Sequence, residues 1–345
     1  MRLMHIICAG YSGGVQRFFE RLVTEFAAQG VTQSLALRDS MECVTRLSAS
    51  DIPVHTYNFD GRMNGLFNFS TKRALRRQAE DFAPDVIMAW QTRAAGFAPT
   101  APGVLVARQG GYEKLKHYRN CRYLIPNAPG IRDHMLAGGW APGRVRLISN
   151  FVSVDLSETE DRALHDTPAD APLLLAAGRF HSNKAFDVLL DTLARLPSAY
   201  LWIAGDGEDR DALHHQADAL NVAGRVRWLG WREDIGPLLN ACSIFVSSAR
   251  NEALGNAVLE AMYAGVPVVA AAANGPAGII TDGHDGRVVP INDSEALAAA
   301  VSQVIADPTL AATLAANGHK TYLDAYSKER VVEQYLKFFS EITGG

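Results

Sequence analysis

"SIFVSSARNEALGNAVLEAMYAGVPVVAAA", residues 243–272, holds a complete folding unit. "SIFVSSA" is a short apolar run of the kind that forms a buried strand, and residues 256–264 carry their apolar side chains at helical spacing. Gly265 and Pro267 stop that helix, and "PVVAAA" starts a second strand. A helix between two strands implies a parallel pair, since antiparallel neighbours need only a tight turn.

The same alternation extends in both directions. Toward the N-terminus of this half it gives strands "LLLAAGRF", "YLWIAGDG" and "RVRWLGW", with helices near 184–196, 208–220 and 233–240. The first half repeats it with "LMHIICAG", "TQSLALR", "DVIMAW", "GVLVARQ", "YLIPNA" and "RVRLISN", separated by helices such as 15–29 and 71–82. The expected fold class is therefore α/β, with two doubly wound Rossmann-like domains facing each other across a cleft. A chain of 345 residues, 48% hydrophobic, has the length and core-forming content for two such domains. The first is expected over 1–152 and the second over 171–325, with the acid-rich stretch 153–170 as the linker.

Net charge is only −4, but it is unevenly placed. Residues 1–150 hold 19 Lys and Arg against 11 Asp and Glu, a balance of +8, whereas 151–345 hold 14 against 26, a balance of −12. Such asymmetry suggests a basic, partner-facing first lobe, with chance segregation of surface charge as the plainer reading. Nucleic acid is not an expected partner, because the acidic second lobe would repel it. Cys8, Cys43, Cys121 and Cys242 are too scattered for a zinc or CxxC site, and read as reduced thiols of a cytoplasmic protein. No apolar run is long enough to span a bilayer, and "MRLMHIICAG" reads as a first strand rather than a signal peptide. Membrane contact would have to be peripheral.

Within 243–272, Glu252 falls on the loop and Glu260 on the helix. Eight residues turn a helix by about 800°, so the two acids would not stack if both were helical, but a loop position lets them line one cleft at different heights. The amides that open the helix, from Leu254, Gly255 and Asn256 onward, form a site suited to an anion. Taken alone, the pair reads as a solvated loop acid and a solvated helix acid. Its context is "AAGRFHSNKAFDVLL", which brings Arg179 and Lys184 to the end of another strand of the same sheet. Two cations beside a helix N-terminus suit a diphosphate. Gly205 and Gly207 in "IAGDGEDRDAL" allow close backbone approach to a ligand. Asp209 and Asp211, a D-x-D that could hold Mg²⁺, are better read as first-turn acids of a helix, and no metal is expected. "CAGYSGGVQRFFERL" adds Gly13 and Gly14 between the first strand and its helix, in a pattern that is neither G-x-G-x-x-G nor a Walker A loop.

Together these pieces resemble the retaining nucleotide-sugar glycosyltransferases of the GT-B fold, family 4 (glycosyl transferases group 1). The match is strongest over 174–292, where "GRFHSNKAFDVLL", "IAGDGE", "VRWLGWREDI", "SSARNEALGNAVLEAMYAGVPVVA" and "DGHDGRVV" follow the family's order; "SGGVQRF" and "RVRLISNFV" match more loosely. The resemblance implies that Arg179 and Lys184 bind the donor's diphosphate, Glu252 the sugar hydroxyls near the reacting carbon, and Glu260 the ribose. It implies amide contacts from Leu254, Gly255 and Asn256, contacts from Gly13 and Gly14 to donor phosphate or acceptor, and a border on the base from Gly230 and Trp231. It further implies that a last helix, about 326–345, crosses back onto the first domain. Catalysis would fall to Glu252, Arg179 and Lys184 without a metal or other cofactor, by front-face attack with retention. A UDP-sugar is preferred to a GDP-sugar as donor, with no residue to decide between them.

One departure stands out. Many relatives carry a histidine after the strand that here reads "VLVARQGGY", where this chain has Arg108 and Gln109, and Arg108 is the expected substitute cation. For the acceptor, Lys72, Arg73, Arg76 and Arg77 lie close together on one helix, and Lys114, Lys116, Arg119 and Arg122 interleave with tyrosines. Basic clusters with aromatics suit an anionic membrane surface and a lipid-linked or lipopolysaccharide-core glycan acceptor, the alternative being solvated helix faces. Competing functions are a sugar-nucleotide epimerase of the same fold, a NAD-dependent oxidoreductase using "CAGYSGG" with Asp39, and a sugar-nucleotide sensor without activity.

Overall fold

Apolar strands covered by helices on both faces have nowhere to go but the centre of a layered domain, and β4 shows the result: all five of its residues are buried. The structure, a computed structural model, describes residues 1–9, 14–60 and 67–344. Among the described residues the first sheet contains β1 (Arg2–Ile7), β2 (Thr32–Arg38), β3 (Val54–Tyr57), β4 (Val86–Trp90), β5 (Val104–Gln109) and β6 (Tyr123–Pro126). The second contains β7 (Leu173–Ala177), β8 (Tyr200–Ala204), β9 (Val226–Gly230), β10 (Ile244–Ser247), β11 (Val268–Ala271) and β12 (Arg287–Val289). Strand orders are β3-β2-β1-β4-β5-β6 and β12-β11-β10-β7-β8-β9, with parallel pairing throughout. The winding direction reverses between β1 and β4 in one sheet and between β7 and β10 in the other. Those reversal points open crevices at the carboxyl ends of the strands, where doubly wound sheets bind ligands.

Two strands escape the sequence patterns. β3 is short, half exposed and preceded by Pro53, so it lacks an apolar alternation. β12 has only three residues, too few for a period to register. Conversely, "RVRLISN" is expected as a strand but is an extended segment lying along β6. Arg146 and Ile148 donate to Leu124 O and Pro126 O at 2.9 and 3.1 Å. The return bond from residue 126 cannot form, because Pro126 has no N–H.

The chain divides into two compact units, Met1–Phe151 with Lys328–Gly345, and Val152–Ser327. Within the first, Tyr335 and Phe339 of the last helix, Lys328–Thr343, pack against Phe26 of the first helix, Gly14–Ala28. The stretch 153–170 is not a free linker. Asn240 donates to Leu156 O and Glu158 O, Arg232 pairs with Glu160, Arg162 donates to Ala241 O, and Trp202 Nε1 donates to Thr167 Oγ1. Glu160, Arg162, Thr167 and the carbonyls of Leu156 and Glu158 thus tie the stretch to the rest of the second unit, while Asp155 and Asp161 accept from N–H groups within it.

Candidate functional site

The reversal point of the second unit brings together the two loops singled out from sequence. β7 is followed by a 3₁₀ turn, Ser182–Lys184, and β10 by the loop that carries Glu252. Lys184 Nζ pairs with Glu252 Oε2; the two side chains are 29% and 21% exposed, so the pair is shielded but reachable. Both residues line a small cavity of about 20 Å³ that also touches Gly255, Ala257 and Val258. The Glu252 loop is tied at both ends, with Arg250 N and Asn251 N donating to Asn183 O and Gly275 N donating to Glu252 O. Ser248 Oγ donates to Lys184 O at 2.9 Å.

Gly255 caps the helix Asn256–Tyr263 in the left-handed region, at φ 95°, a conformation that would strain most side chains. That turn starts the helix beside the Lys184–Glu252 pair, so its first-turn amides open toward the strand ends. Leu254 is buried, and Asn256 and Glu260 are half-buried on this helix start and its second turn. An ammonium, a carboxylate and helix amides in one place can hold a ligand that is anionic at one end and rich in hydroxyls at the other.

Arg179 extends outward, its side chain 69% exposed, and pairs with Glu208 at 2.9 Å. Glu208, in the loop after β8, escapes the sequence reading, which singles out the D-x-D of Asp209 and Asp211 beside it. Asp209 stands at the N-cap position of the helix Arg210–Ala219 without a side-chain cap hydrogen bond, and Asp211 lies in its first turn, positions that the helix dipole favours for an acid. The lack of a side chain at Gly205 has a packing cause: a Cβ there would lie 1.8 Å from Gly178 O. Loop-on-loop contact is by itself enough to require a glycine there. Gly230 ends β9 at φ 68°, and Trp231 beside it is 53% exposed, an unusual position for an indole.

In the first unit, Gly14 opens the helix Gly14–Ala28, while Gly13 lies outside the described residues. Arg108 requires a correction. It is 2% exposed, its guanidinium lies over the rings of Phe18 and Trp90, Nε donates to Tyr335 Oη at 3.1 Å, and Nη2 donates to Asn150 Oδ1. Burial draws its pKa down, with Tyr335 opposing that shift. A cation enclosed in this way is not a surface contact for acceptor or membrane. Gln109 beside it is fully buried, and neither end of its amide has a hydrogen-bond partner.

The basic helix Phe67–Phe82 exposes Arg73, Arg76 and Arg77, while Lys72 is half-buried over the Phe97 ring. Phe69 on the same helix is 73% exposed and escapes the sequence reading, which looks for charges there. Arg73 and Arg77 also line a groove of about 630 Å³ with Arg2, His55 and Tyr57. Lys114, Lys116, Arg119 and Arg122 are exposed, but Tyr118 among them is buried with its hydroxyl on Glu113, so that cluster interleaves less aromatic surface than expected. Among the described residues no single helix is long and apolar enough to cross a membrane.

Two parallel six-stranded sheets, each wound about its own reversal point, define the GT-B architecture. A glycosyltransferase from Rickettsia africae ESF-5 shares it at a TM-score of 0.88 and 18% identity, over 99% of this chain and 98% of that one. Anabaena Alr3699/HepE, solved with UDP-glucose, shares it at 0.83 and 22% identity, over 99% and 100%. The family model described as Glycosyl transferases group 1 matches residues 157–321. The lipopolysaccharide core biosynthesis glycosyltransferase LpsE of Rhizobium meliloti (strain 1021) is 38% identical over 340 residues, covering 96% of this chain and 97% of the relative. The chain belongs to the group 1 glycosyltransferases and is a glycosyltransferase.

Proposed function

We propose that the protein transfers a hexose from a nucleoside-diphosphate sugar, UDP-linked in preference to GDP-linked, to a hydroxyl of a lipopolysaccharide-core or other cell-envelope acceptor. The observation that carries this reading is the Lys184–Glu252 pair at the reversal point of the second unit, beside the start of the helix Asn256–Tyr263. Diphosphate oxygens would take the Lys184 ammonium and the helix amides, with Arg179 swinging from Glu208 to join them. Glu252 would then be released to accept hydrogen bonds from sugar hydroxyls. The acceptor class is supported by the name and full-length similarity of LpsE, and the donor base by the UDP-glucose held in HepE.

In the proposed reaction the acceptor oxygen bonds to the sugar's anomeric carbon from the face the leaving group departs. The bond from that carbon to the phosphate oxygen breaks, the electron pair stays on the phosphate, and the acceptor's proton moves to that oxygen. The configuration is retained and no protein nucleophile is needed. Developing charge on the phosphate is met by Lys184, Arg179 and the helix amides, so the site is proposed to need no metal. A thermal-shift panel of UDP- and GDP-sugars tests the reading. A ligand at 100 times its Kd stabilises the protein by about 2.7 kcal/mol, in EDTA as in its absence, and a panel with no stabilising nucleotide sugar sinks the proposal. The exposed arginines of the helix Phe67–Phe82, with Phe69, are proposed to seat the first unit on an anionic membrane that presents the acceptor.

A further inference from the structure

We propose that Arg250 is a positioning residue for the transfer, clamping the loop that carries Glu252 to the turn that carries Lys184. The inference rests on the reading of that pair as the donor site. Lys184 and Glu252 follow different strands, and the β7–β10 ladder pairs only Leu174 and Leu175 with Ile244 and Phe245, ending short of both loops. Hydrogen bonds beyond the ladder must hold the loop tips in register, and Arg250 supplies most of them. Its N–H donates to Asn183 O at 2.8 Å. Its Nη1 donates to Ser182 O at 3.0 Å and to Asp187 Oδ1 at 2.9 Å, its Nη2 to Asp187 Oδ2, and its Nε to Asn292 Oδ1.

One guanidinium thus joins the Lys184 turn, the first turn of the helix Phe186–Ala194 and the segment after β12. Burial by itself would raise the Asp187 pKa; the Arg250 hydrogen bonds, the Arg250 charge and backbone N–H donors at the start of its helix together lower it. Arg250 sits two residues before Glu252, so losing the clamp displaces the carboxylate relative to Lys184 without removing either. Displacements near 1 Å at a reacting centre cost about 100-fold in rate, whereas diphosphate binding by Lys184, Arg179 and helix amides does not require Arg250.

The test uses the full-length protein, with UDP and GDP titrated separately and turnover of the nucleotide sugar chosen by the panel followed as nucleoside diphosphate release. Arg250→Ala is expected to lower kcat by about 30- to 100-fold while the nucleotide Kd changes less than about threefold. Arg250→Lys, which keeps the charge but loses the fork, is expected to recover part of the rate. Adding Asp187→Ala to Arg250→Ala should cost little more, because the two act as one unit. Arg287→Ala, which breaks the similarly exposed Arg287–Asp282 pair, is the control for a merely structural ion pair and should leave kcat unchanged. The proposal is overturned if Arg250→Ala stays within twofold of the parent kcat, if its nucleotide affinity falls as far as its rate, or if Arg287→Ala loses as much. A Lys184→Ala protein with unaltered nucleotide affinity and turnover instead removes the donor-site reading, a separate result.

Discussion

Lys184 faces a choice of partners that defines its role. In the structure its ammonium is neutralised by Glu252; in the proposed reaction it turns to a phosphate whose charge grows as the sugar departs. Removing one such donor from an anion-stabilising site costs about 10²- to 10³-fold in kcat, and Lys184→Ala should fall in that range when turnover is measured at saturating donor. A second residue-scale prediction concerns His5, buried in the first sheet. Trp90 Nε1 donates to its Nδ1 at 3.2 Å, so its Nε2 carries the hydrogen and donates to Gln33 Oε1. Burial lowers the imidazole to about 3, with the Gln33 bond opposing only in part. The folded chain therefore keeps His5 neutral, whereas the unfolded chain takes up a proton below about pH 6.5. Stability from this residue is complete above that value and declines as pH falls toward 3, by about 2 kcal/mol between pH 7 and 5. Urea unfolding at the two pH values should show the decline, and His5→Leu should flatten it while lowering stability at both.

Loops, not strands, set the tolerances of this fold. Gly205 lets the loop after β8 lie against the loop after β7, and Gly205→Ala would push a methyl into Gly178 O. Overpacking against backbone costs roughly 1–3 kcal/mol, and a fall in melting temperature should report it. Gly224→Ala, where a Cβ meets nothing within 4 Å, should change stability by less than about 0.5 kcal/mol. The same principle explains why "RVRLISN" is not a strand. Its composition is right, but a single proline on the neighbouring strand withholds the donor that a ladder needs.

Charge is distributed over the whole molecule so that the first half is basic and the second acidic. Arg73, Arg76 and Arg77 concentrate positive charge beside the exposed Phe69, a combination suited to the interfacial region of an anionic bilayer. At about 1 kcal/mol per cation near the surface, replacing the three arginines by glutamine should weaken binding to phosphatidylserine-containing vesicles by roughly 100-fold. Sedimentation with vesicles measures this. Retention of full binding by the triple variant, or no loss of binding at high salt, would remove these arginines from the docking surface.

Ten of the twelve strands among the described residues, the plan of two doubly wound sheets and the loops bearing Arg179, Lys184 and Glu252 are legible along the chain, whereas β3 and β12 are not. Apolar periodicity and Gly–Pro stops are local signals, and strand ends are where a doubly wound sheet exposes its loops. What the chain could not reveal is which side chains meet. Lys184 and Glu252 are 68 residues apart and become partners only because β10 lies beside β7. Arg108 reads as a free cation until Tyr335, from the far end of the chain, closes over it. Stretch 153–170 reads as a linker until Arg232 pairs with Glu160 and Asn240 takes the carbonyls of Leu156 and Glu158. Secondary structure follows from neighbours in sequence, whereas the partner of a charge depends on which loops the sheet order brings together, and that order is fixed only when the whole domain packs.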